Sequence, residues 1–129
     1  MRIGAFFAVC LGLVGPAHAT PVTLICNGNF TLDGKQVNIG GETAILDLEK
    51  RSFKPPLYPE FPLIRVGESD VSFGNELPAL STWGSLDRVS GSLSMNVMRP
   101  NERKNLQAGG SAHFLAWMTA KCAPAQRMF

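Results

Sequence analysis

Asp87 and Arg88 sit side by side in STWGSLDRVSGSLSMNV, residues 81–97, between small and apolar neighbours. A carboxylate beside a guanidinium can hold or polarise a substrate in a cleft. The other candidates are fewer and more scattered. His113 is the sole histidine after residue 19. One imidazole without an H-x-H or H-E-x-x-H partner does not make a zinc site, and no G-x-S-x-G elbow supplies a serine for it to activate. Asp47 and Glu49 could form a hydrolytic carboxylate pair, but alternation along a strand already puts them on one face. Met95-x-x-Met98 offers two thioethers to a soft metal, yet residues three apart on a strand face opposite ways. The sequence therefore names no catalytic residue, no metal ligand and no cofactor-binding residue, and the expectation is a protein that is not an enzyme.

What must position these residues is a set of strands. VTLICN alternates, with Val22, Leu24 and Cys26 on one face. ETAILDLEKRSF is expected to follow a turn at Gly40-Gly41, with Ala44, Leu46 and Leu48 inward and Asp47 and Glu49 outward. The proline-rich FKPPLYPEFP reads as a loop or an edge, since each proline removes a ladder donor. LIRVGESDVSFG gives two short runs around a turn at Gly67. Val89, Gly91, Leu93, Met95 and Val97 share a parity opposite Ser90, Ser92, Ser94 and Asn96, which predicts a half-buried antiparallel strand. RPNERKNLQAGGS reads as a polar turn region, its Arg99, Arg103 and Lys104 a solvated basic knob. AHFLAWMTAKC is the closing strand. Five to seven strands of this kind predict an all-β antiparallel sandwich or small barrel. On such a strand Asp87 and Arg88 point to opposite faces, so the expectation is that they do not act together. Each would pair across the sheet and mark a strand boundary.

The N-terminus reads as a cleavable signal peptide over residues 1–19. Arg2 is followed by an apolar run and then by Ala17-His18-Ala19, with small residues at the cleavage positions. The run is too short for a permanent helix across a bilayer, so no stable span is expected in the mature chain. The single β domain is then residues 20–129, 110 residues with 11 basic and 10 acidic side chains. That balance gives no field for nucleic acid, and no aromatics interleave with the basic knob. Cys10 leaves with the signal. The even pair that remains, Cys26 and Cys122, reads as one disulfide formed in an oxidising compartment, either the periplasm or outside the cell. Phe129 is a common last residue for outer-membrane barrels, but Pro124 interrupts the run before it and 110 residues barely hold eight spanning strands.

VTLICNGNF, SLDRVSGSL and KCAPAQRMF together resemble a family of uncharacterised small secreted proteins of soil alphaproteobacteria. That family has a Cys-x-Gly strand, an IDRVTG-like strand and a Cys-x-Pro-x-x-Arg-x-Phe tail. Gly28, Asp87, Arg88, Gly91, Pro124, Arg127 and Phe129 match its pattern, and Leu86 and Ser90 depart from it mildly. The resemblance implies export and a Cys26–Cys122 bond but no activity. CNGNF…GGETAILDL is also similar to the opening of periplasmic lysozyme inhibitors. Their Ser-Gly-x-x-Tyr signature is missing, and Tyr58 lies in the proline-rich stretch. The reading from sequence is thus an exported envelope protein, a non-enzymatic binding or structural domain with a protein or envelope partner. A lysozyme-type inhibitor and a small carboxylate hydrolase are the alternatives.

Overall fold

The computed structural model describes residues 20–125. The segment expected to be a signal peptide, residues 1–19, and Arg127 and Phe129 lie outside the described residues. Eight antiparallel strands follow one another around a closed barrel. They are β1 (Val22–Leu32), β2 (Lys35–Asp47), β3 (Ser52–Lys54), β4 (Phe61–Val66), β5 (Asp70–Glu76), β6 (Ser81–Asp87), β7 (Ser92–Met98) and β8 (Phe114–Pro124). A helix, α1 (Pro100–Gln107), lies between β7 and β8. Of the two expected architectures, sandwich or small barrel, the barrel is present, with eight strands rather than five to seven.

The difference comes from turn chemistry. Asp33 and Gly34 both have positive φ, 49° and 76°, as the two-residue hairpin between β1 and β2 requires. Gly40-Gly41 is not a turn. It lies inside β2, where the register against β1 shifts between Cys26 and Asn27, and the Asn27 Oδ1 accepts from the Gly41 N–H at 2.8 Å. Such a bulge bends a long strand without ending it. The proline-rich stretch is flanked by short pairings: Phe53 and Lys54 belong to β3, Phe61 and Pro62 to β4, and Phe53 faces Phe61 across the ladder.

Val89 and Gly91 do not belong to the strand predicted over 89–97. β7 begins at Ser92, and Val89 is 84% exposed. The polar turn region contains α1, with Pro100 in its first turn, where a missing N–H costs nothing. Arg103 is not a solvated charge. Its guanidinium donates to the Ser81 Oγ at 3.0 Å and lies 3.4 Å from the Glu76 carboxylate, fastening α1 to the outside of β5 and β6.

Inside, the barrel is filled. Phe53, Val71, Phe73, Met95 and Met118 are fully buried, and the Phe53 and Phe73 rings stand 4.7 Å apart. Met98, by contrast, is buried under α1 on the outer side, so Met95 and Met98 do face opposite ways. Among the described residues no helix is long and apolar enough to cross a membrane.

Cys26 and Cys122 are directly opposed on β1 and β8 and form the predicted disulfide. Both are buried, on the inner face of the barrel.

Candidate functional site

The strand directions divide the molecule into two mouths and an outer wall. One mouth gathers the start of β1, the end of β8 and the turns after β2, β4 and β6. A cavity of about 370 Å³ opens there, walled by Leu24, Leu46, Leu86 and Pro124 and rimmed by residues 87–91. This is where the structure places Asp87 and Arg88.

Asp87 is the last residue of β6, and Arg88 is already in the turn. The alternation expected to separate them therefore does not apply, and both reach the rim of one cavity. Among the described residues neither makes the expected cross-strand ion pair. The Asp87 carboxylate accepts at Oδ1 from the backbone N–H groups of Val89 and Ser90, each at 2.8 Å. Those two bonds, the Ser90 one first, hold its pKa below the usual aspartate value. The Arg88 guanidinium donates to the Gly67 carbonyl at 2.7 Å, and its backbone N–H donates to the Ser69 carbonyl. Each side chain thus ties down a turn. Gly91 follows with φ 79°, and a Cβ there would stand 2.0 Å from the Cys122 carbonyl oxygen. The turn is thus pressed against the disulfide-bearing strand.

The opposite mouth holds a cavity of about 440 Å³ lined chiefly by Leu32, Tyr58, Leu77, Leu80 and Val97. Tyr58 closes one side of it, edge-on to Phe30 at 5.6 Å, and partial burial raises its phenol pKa.

The other sequence candidates are dispersed. Asp47 is buried although it alternates with inward Leu46, and its Oδ1 accepts from the Lys50 N–H in the turn after β2. His113 is exposed, and its backbone N–H donates to Glu102. Among the described residues no group of three or more His, Cys, Asp or Glu could hold a metal ion.

The outer wall carries a pattern that strand-by-strand reading missed, because it runs across strands. Ser72, Ser85, Ser94, Thr119, Asn29 and Asn38 are consecutive register partners from β5 through β6, β7, β8 and β1 to β2. The next row toward the second mouth is Gly74, Trp83, Asn96, Trp117, Thr31 and Gln36. Twelve residues in two rows include no charge. Trp83 and Trp117, the chain's two tryptophans, flank Asn96 and stay 38% and 41% exposed. Within each strand the only signal was a polar residue at every second position.

Comparison with protein-family models, curated proteins and solved structures finds no match to this chain.

Proposed function

We propose that the chain is an exported, non-enzymatic barrel that binds an envelope component through its surface. The observation that carries this reading is the division between inside and outside. Large side chains fill the interior, whereas the outer waist carries two uncharged rows whose exposed members are polar and tryptophan side chains. Side chains fill the middle of the eight-stranded barrel, which leaves its two cavities at the mouths rather than in one central chamber.

The titratable candidates also have structural work. Asp87, Arg88, Asp47 and Arg103 each fix a turn or the helix. The disulfide supports export, since such bonds persist in oxidising compartments. The serine, threonine and asparagine row around the waist argues against a lipid-facing barrel, which presents an apolar band outward and polar groups inward.

The test is to incubate the purified mature protein with peptidoglycan, lipid and ester substrates. No turnover is expected. Turnover abolished by Asp87→Asn or His113→Gln would overturn the reading.

A further inference from the structure

We propose that the waist binds an uncharged, extended β-1,4-linked glycan strand running across the sheet, with two sugar rings stacked on Trp83 and Trp117. The inference deepens the binding reading above and rests on it. Trp83 on β6 and Trp117 on β8 are both partners of Asn96 on β7, so they stand two strands apart on one face. Neighbouring strands are about 4.8 Å apart, which puts the backbone positions that carry the two indoles about 10 Å apart. In a β-1,4 chain each ring is turned over relative to the next, so alternate rings present equivalent faces. Two platforms separated by one strand suit two such alternate rings.

The intervening residue fits the intervening sugar. The Asn96 amide both donates and accepts, as do hydroxyls and acetamido groups. Ser94, Thr119 and Asn29 continue that capacity in the adjoining row, all three exposed. Pyranose rings offer an apolar C–H face to an aromatic ring and hydroxyls at the edge, so a ligand of this class uses both kinds of side chain together. Neither row carries a charge, and the Arg103 guanidinium beside Trp83 is engaged by Ser81 and Glu76, which favours a neutral chain over an acidic one. On the β6 side, α1 walls the platform, with Met98, Leu106 and the ion-paired Arg103 beside Trp83. The surface is thus bounded at one end and open along the row.

The experiment titrates the oxidised mature protein with chitohexaose and with cellohexaose while following tryptophan emission, since the chain's two tryptophans are the two proposed platforms. Saturable change with at least one hexaose is expected, unaffected by salt because no ion pair forms. Trp83→Ala and Trp117→Ala should each weaken binding about tenfold, measured calorimetrically, and Trp→Phe should restore part of it. If an alanine variant does not fold, the phenylalanine variants and Asn96→Ala carry the test.

No binding of either hexaose by folded protein overturns the glycan inference and leaves a binding role for other ligands intact. So does binding that survives loss of both indoles. Cleavage of the hexaose, followed by chromatography in the same tubes, would overturn the non-enzymatic reading instead. Preference for chitohexaose assigns the asparagines to acetamido groups, and preference for cellohexaose assigns them to hydroxyls.

Discussion

Cys26 and Cys122 are register partners on the one ladder of this barrel that joins strands distant in sequence, β1 and β8. Every other ladder joins consecutive strands. The disulfide therefore locks the seam at which an eight-strand meander closes on itself, across a separation of 96 residues. In the chain-entropy model a loop of that length stabilises the fold by about 4–5 kcal/mol.

The Cys26→Ala/Cys122→Ala double variant should lose about 2–5 kcal/mol, read from urea unfolding at equal m-value. A loss below about 0.5 kcal/mol would show that the hydrogen bonds of the seam suffice without the bond.

Phe73→Ala should cost about 3–5 kcal/mol, because Phe73 is fully buried against Phe53 and Phe61 and the barrel cannot collapse around the gap. Thermal unfolding of the variant checks this. A near-neutral result would mean that the interior is not packed as described.

Gly91→Ala should destabilise by at least about 1–3 kcal/mol, since φ 79° strains any side chain and the added Cβ would meet the Cys122 carbonyl. Gly34→Ala shares the positive φ but opens onto free space, so it should cost less. Equal losses at the two positions would contradict the close approach at Gly91.

Asp87 has a pKa held below its unfolded value by the two backbone donors, so its contribution to stability is present above the ordinary aspartate range. It is lost as pH falls through that range, near about 4, and below. Asp87→Asn keeps an oxygen acceptor for the turn but cannot titrate. Between pH of about 5 and 3 the melting temperature of the wild type should therefore fall more steeply than that of the variant. Parallel curves would show that the carboxylate is not what the two N–H groups hold.

Much of the fold was legible one strand at a time. The alternation of Leu93, Met95 and Val97 against Ser92 and Ser94 found the buried face of β7, and the turn at Gly67 separated β4 from β5. The misses fell where backbone geometry decides. Asp33-Gly34 carried a hairpin signal, but Gly40-Gly41 drew the turn because two glycines also serve a bulge. β3 is three residues long, too short to show a period, and α1 is set by Pro100 and by Arg103 reaching Ser81, not by an apolar stripe.

The candidate site was less legible still. Asp87 and Arg88 share a cavity rim because the strand stops between them. Trp83, Asn96 and Trp117 are 13 or more residues apart in sequence, and only the register of two ladders brings them into one row.

Export of the chain and its closure by one covalent bond underlie every other property proposed for it. Intact-mass measurement of the protein recovered from producing cells, alkylated before and after reduction, tests both parts together. The predicted result is a chain beginning at Thr20 that takes up no alkyl group until it is reduced and then takes up two. A chain that retains residues 1–19, or one alkylated at Cys26 and Cys122 without reductant, would contradict it.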